Sequence, residues 1–202
     1  MLYGTIILGN PLCRRGFAYG TEPNAFLVSR QARFQPGQTV LLIGEGEGRN
    51  GVWLARQGLQ VSAGDQSETG LAKARAMARE AGVTLHTISA DLTQWQWPVD
   101  EYDFVVSIFV HFKPGGRRFI HRACLAALKP GGTILLEGFN PEQIEYPSGG
   151  PPFPEMLFTR AMLRADFAGA KIERLESLET RLAEGKYHQG SAAVIRLIAT
   201  RP

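Results

Sequence analysis

Cysteine is almost missing from this chain: there are two, Cys13 and Cys124, far apart and outside any Cys-x-x-Cys or Cys/His spacing. That excludes a disulfide framework and a zinc site, so no metal is expected and a reducing, cytoplasmic setting suits the chain. Charge of one sign is equally scarce. Lys and Arg number 22 against 19 Asp and Glu, interspersed, with no run longer than Arg14-Arg15 or Arg117-Arg118 and a net charge of +3. A phosphate backbone or an anionic membrane calls for more, so neither nucleic acid nor membrane is expected as a partner. The apolar patch Leu2 to Leu8 is too short to span a bilayer and has no basic stretch before it; it reads as an N-terminal segment lying on the domain.

What is present suffices for one well-buried core. A chain of 202 residues with 44% hydrophobic content is expected to form one domain over 1–202, with 1–37 as an N-terminal segment and 38–202 as the core. Breakers crowd the first part, and Asn24 after Pro23 is placed to cap a short helix reaching Ala32. Thr39 to Ile43 is a strand, followed by a glycine turn and a helix to about Gln57. Gln60 to Ala63 is a short strand ending at Asp65, and Ser67 opens a helix that Gly82 stops. Thr84 to Ala90 is a third strand, and the nearly continuous apolar run Tyr102 to Phe109 a fourth, of the kind buried on both faces. A helix from Gly116 to Leu128 ends at Lys129-Pro-Gly-Gly132, and Thr133 to Phe139 is the next strand. Thr159 caps a helix reaching Phe167; a weak strand then runs from Ile172 to Thr180 and a strong one from Ala192 to Thr200.

Strands alternating with helices argue for an α/β, mostly parallel sheet with helices on both faces. Ligands of such sheets sit beyond the carboxyl ends of the strands, at the switch point. The residues there are Gly44–Asn50, Asp65–Gln66, Asp91–Leu92, Val110–His111 and Asn140–Gln143. Gly46 to Gly51 satisfies G-x-G-x-x-G, with Asp65 at about the distance that holds a ribose hydroxyl, so a NAD-dependent oxidoreductase is one reading. Against it, no tyrosine has lysine four residues on, no second domain carries a substrate site, and Glu45 and Glu47 stand where a pyrophosphate would be repelled. A non-catalytic nucleoside-binding module is another reading. A cationic ligand without phosphates, S-adenosylmethionine, suits the set better. Glu45 would face the sulfonium and methionine side, Asp65 the ribose hydroxyls, and Asp91 with Leu92 the adenine.

In this setting the residues resemble the class I S-adenosylmethionine-dependent methyltransferases and, more narrowly, the small bacterial methyltransferases of the tellurite-resistance TehB type. The matching stretches are Tyr19-Gly-Thr-Glu-Pro-Asn24, Gly44 to Asn50, Asp65-Gln-Ser67 with Gly70-Leu71, Ser107 to His111, Leu128 to Gly132, Glu137 to Glu142 and Tyr187-His-Gln-Gly190. The resemblance implies a Rossmann-like sheet of seven strands whose last runs antiparallel. It also implies an N-terminal lid over 1–37 and S-adenosylmethionine held by Gly44, Glu45, Gly46, Gly48, Asn50, Asp65, Gln66, Asp91, Leu92, Ser107 and Phe109. The chain departs from it in two places: Leu42 stands where an acidic residue is common, and Met1 to Arg15 has no Trp- and Tyr-bearing segment. The expected activity is methyl transfer to a small-molecule acceptor, a thiol, oxyanion or metalloid compound. A DNA amino-methylating motif is replaced by Ser107-Ile-Phe-Val-His111.

Positioning supplies much of the rate of such a displacement, and a histidine can remove the acceptor's proton. His111, after the fourth strand, is either that base or pocket lining; His188, before the last strand, is either that base or a loop histidine. Tyr187 either shapes the pocket or sits on the surface, and His86 and His121 read as ordinary strand and helix residues. Trp95 and Trp97 read as packing of a long loop in preference to an adenine roof. Cys13 is a candidate reactive thiol or, more commonly for a lone cysteine, an unreactive one.

Overall fold

The protein is described here by a computed structural model covering Leu12 and residues 16–202; Leu2 to Leu8 and Cys13 lie outside the described residues. In chain order the elements are α1 (Ala25–Val28), β1 (Thr39–Ile43), α2 (Arg49–Arg56), β2 (Gln60–Asp65), α3 (Glu68–Glu80) and β3 (His86–Ser89). Then follow β4 (Tyr102–Ile108), α4 (Pro114–Ala127), β5 (Leu128–Phe139), α5 (Arg160–Asp166), β6 (Lys171–Glu184) and β7 (His188–Thr200). The strands form one seven-stranded sheet in the order β3-β2-β1-β4-β5-β7-β6, in which β7 alone runs against its neighbours. This is the expected Rossmann-like arrangement with an antiparallel last strand. Its order reverses between β1 and β4, which sets the switch point there.

Alternation along β1 divides the interior. Leu41 and Ile43 face a core shared with Ile120 and Cys124 of α4 and Leu163 of α5. Val40 and Leu42 face the other side, with Phe26 and Leu27 of α1, Val52 and Leu54 of α2, and Ala74 and Ala78 of α3. Side chains cap three helices as their sequences suggest: Asn24, Ser67 and Thr159 accept from the N–H groups of Leu27, Gly70 and Met162. His121 is no ordinary helix residue: it is fully buried, with Nδ1 2.8 Å from Asp166, which also receives Arg117 Nε at 2.7 Å. Burial pushes the Asp166 carboxyl up, but its bonds to His121 and Arg117 outweigh that and hold it at about 2, so the pair fastens α5 to α4.

Several boundaries differ from the sequence reading. The helix after Asn24 stops at Val28 and continues as a separate 3-10 turn, Gln31–Arg33. β5 starts at Leu128, which pairs with Tyr102; the Lys-Pro-Gly-Gly stretch that looked like a stop bulges out of the strand before pairing resumes at Thr133. β6 is far longer than expected and pairs with β7 out to Glu184 and His188. A register shift between Ile172 and Arg174 accounts for the three-residue step from Ile172 to Leu175, whereas Leu178 follows in unbroken register on the face opposite Leu175. No helix among the described residues is long and apolar enough to cross a membrane.

Candidate functional site

The turn after β1 takes left-handed backbone at Gly44, Gly46 and Gly48. Glycine is required at Gly48, where φ is 98° and a Cβ would lie 2.7 Å from the Cα of Ala74. Gly48 is also the N-cap of α2, so it offers no side chain to the free amides there. Glu45 supplies what is missing: its Oε1 accepts from Gly51 N–H at 2.7 Å. Burial pushes the Glu45 carboxyl up to about 7, against the pull of the Gly51 amide and the nearby Arg49. At the end of β2, Asp65 accepts from Gly46 N–H at 2.9 Å and Ser67 N–H at 2.7 Å, fixing the turn; burial raises this carboxyl too. Glu47 is not the bare repelling charge the sequence suggested. It is buried against Lys73 Nζ and the amide of Ala18, each at 2.6 Å.

Behind this turn lies a buried polar network that draws on distant parts of the chain. Asn50 accepts from the amide of Asn24 at 2.9 Å. The Asn24 side chain donates to Glu137 at 2.6 Å and to Glu184 at 2.8 Å. Arg49 closes on Glu184 at 2.6 Å and Arg196 on Glu137 at 2.7 Å, so the two acids are matched by two guanidiniums. The N-terminal segment is further tied down where Lys186 N–H meets the carbonyl of Ala18 and Gly20 crosses Gly185 at backbone contact.

The remaining sequence candidates divide into groups. Ser107 pairs in register with Ile43, is buried, and has a hydroxyl without a hydrogen-bond partner in the structure. Phe109 takes an uncommon left-handed φ of 55° and stacks on Phe139 with ring centroids 4.6 Å apart. His188 is the first residue of β7 and not a loop residue; it is buried against Tyr19 at 4.7 Å and Phe109 at 4.6 Å. Tyr187 stands half-buried beside Tyr19. Gln66 is half-buried directly after β2. Asp91 is exposed and turned onto Thr93, and Leu92 is packed into the α4-side core. Trp97 donates to the Leu92 carbonyl and packs on Trp95 against that same core, which is loop packing.

His111 carries a different message from its sequence position. Nδ1 lies 2.9 Å from the Met156 carbonyl and Nε2 accepts from Phe139 N–H at 3.1 Å. Both nitrogens are thus engaged by backbone, and burial holds the ring neutral with its pKa lowered to about 4. It anchors the loop after β5 and has no lone pair free to act as a base. Arg49 and Glu137 fall within stretches that carried the resemblance but were given no role, and Glu184 was not singled out, because no local pattern connects residues so far apart.

Residues 40–132 match the sequence model of the family described as "Methyltransferase domain". No curated protein sequence gives a significant match. Among solved structures, one described as "Conversion of a Disulfide Bond into a Thioacetal Group during Echinomycin Biosynthesis" superposes with a TM-score of 0.75 and 21% identity, over 95% of this chain and 86% of that one. TehB from Haemophilus influenzae gives 0.71 and 18%, over 89% of this chain and 62% of TehB. A SAM-dependent methyltransferase from Methanosarcina mazei gives 0.68 and 18%, over 89% and 98%.

Proposed function

We propose that this chain, whose residues 40–132 match the methyltransferase-domain model, uses S-adenosylmethionine to methylate a small acceptor bearing a neutral, proton-carrying soft nucleophile, a thiol. The observation that carries the acceptor class is the wall around His188. It is made of the rings of Tyr19, Phe109 and Phe139. Arg49, the cation that acts on His188, is held by Glu184. An oxyanion would have to compete with Glu184 for Arg49, whereas a polarizable sulfur suits aromatic faces.

The residues fit the cofactor. Asp65 stands buried at the end of β2, where a carboxylate can accept ribose hydroxyls, and the unpartnered hydroxyl of Ser107 lies buried beside the end of β1. A pyrophosphate would compete with Glu45 and Asp65 for amides they already hold, which argues against the nicotinamide reading. When bound, the cofactor supplies an electrophilic methyl group on a sulfonium sulfur. His188 receives the proton that the acceptor gives up and passes it to water, while the rings around it keep the acceptor's sulfur desolvated. A reducing cytoplasm keeps such a thiol available.

Calorimetry with S-adenosylhomocysteine is the first test; no binding at high micromolar ligand overturns the reading. Product assays with 2-mercaptoethanol and dithiothreitol set against selenite and tellurite are the second. Turnover confined to the oxyanions removes the thiol assignment, and binding without turnover of any acceptor leaves a nucleoside-binding module.

A further inference from the structure

We propose that Glu184 is the positioning carboxylate of His188, and that Arg49 and Asn24, by holding Glu184, link that positioning to the cofactor helix and the N-terminal segment. The proposal rests on the reading of His188 as the proton acceptor. Glu184 ends β6 and His188 begins β7, and the two stand opposite each other across the hairpin. Glu184 Oε2 is 3.9 Å from His188 Nδ1, which is buried and has no hydrogen-bond partner in the structure. That same Oε2 receives Arg49 Nη2 at 2.6 Å, and Oε1 receives Asn24 Nδ2 at 2.8 Å.

Two donors therefore fix the carboxylate beside the imidazole. A fixed negative charge next to Nδ1 favours the tautomer with its proton on Nδ1, which leaves the Nε2 lone pair for the acceptor's proton. When the ring is protonated, its counter-charge is already in place.

The other groups facing His188 do not do this. Arg49 disfavours an imidazolium, and Tyr19 and Tyr187 contribute aromatic surface. Burial lowers the His188 pKa and Glu184 opposes that fall. Arg49 also reaches the Glu22 carbonyl through Nη1, and the Asn24 amide rests on Asn50, so the carboxylate that aims the histidine is held from the first turn of α2 and from residues 22–24. Undocking the N-terminal segment withdraws one of its two donors.

The test is imidazole nitrogen NMR on the full chain with S-adenosylhomocysteine added, following His188 identified by its loss in His188→Asn. The expected result is an Nδ1–H tautomer in the unaltered protein and, in Glu184→Gln, an apparent pKa lower by about one unit, a tenfold change in proton affinity. Glu184→Asp, which draws the charge away from Nδ1 while keeping it, shifts in the same direction and carries the test if the glutamine variant does not fold. Glu137→Gln perturbs the same network without touching His188 and leaves its titration in place. Unchanged titration in both Glu184 variants, or an equal shift from Glu137→Gln, overturns the proposal. Undiminished methyl transfer to 2-mercaptoethanol by His188→Asn would overturn the proton-acceptor reading on its own, while the spectra still decide the link to Glu184.

Discussion

Replacing Glu45 by glutamine should change how stability depends on pH in a way that isolates one carboxyl. In the folded chain this group is buried beneath the glycine turn, and burial lifts it from an ordinary 4.5 to about 7. The unfolded chain ionises it near 4.5, so between about 4.5 and about 7 the folded state keeps a proton that the unfolded state has lost. Each rise in pH through that window therefore favours unfolding, and above 7 the full cost is present. At about 1.4 kcal/mol per pH unit the lift corresponds to about 3 kcal/mol. Glutamine keeps an oxygen for the Gly51 amide and carries no charge, so Glu45→Gln should lack this loss. Urea unfolding of the cofactor-free protein at pH 5, 6, 7 and 8 measures it: the stability difference, variant minus unaltered protein, should grow with pH. A difference that stays flat would refute the account of Glu45 as a carboxylate ionised at a cost.

Other consequences can be checked alongside. Asp65→Ala removes the group assigned to the ribose and should weaken S-adenosylhomocysteine binding by about 1–3 kcal/mol in calorimetry; unchanged affinity would mean the ribose lies elsewhere. Gly48→Ala forces a Cβ to 2.7 Å from the Ala74 backbone at a φ of 98°, so a loss of several kcal/mol is expected in urea midpoints, on the order of 3 or more. Asn24→Ala takes away the α1 cap and two bonds to buried carboxylates, and should cost about 3 kcal/mol together with protease protection of residues 16–24. His111, held neutral with its pKa near 4, should show no imidazole titration by NMR above pH 5, and it removes stability only as pH falls from 6.5 through about 4.

How much of this could be read in advance follows from the range of the interactions. The run from Thr39 to Ser67 was legible because strand, turn, helix and cap are each written within a few residues: an apolar run, glycines where φ is positive, and Ser67 with its oxygen on Gly70 N–H. Asp65 was found by the same local logic. The full length of β6 was not read because its apolar residues do not alternate cleanly, and the start of β5 because a Pro-Gly-Gly excursion looks like an ending. His111 has the position expected of a base, but the backbone groups that occupy its nitrogens come from Phe139 and Met156, which no nearby pattern announces. The network around Asn24 joins residues 113 and 160 positions away, so its members looked like unrelated polar residues until the chain was folded.

The wall around His188 has one more implication. Tyr19 and His188 are far apart in sequence, with Phe109 and Phe139 between them, while the glycine turn and Asp65 lie within a single continuous stretch. The family match over 40–132 takes in that stretch and, of the wall, only Phe109. On the proposed reading, inheritance can conserve the stretch assigned to the cofactor while the two end segments, around Tyr19 and His188, change together to suit a new acceptor. Exchanging those ends between relatives, with the middle left intact, is the natural route to moving this chemistry onto a different substrate.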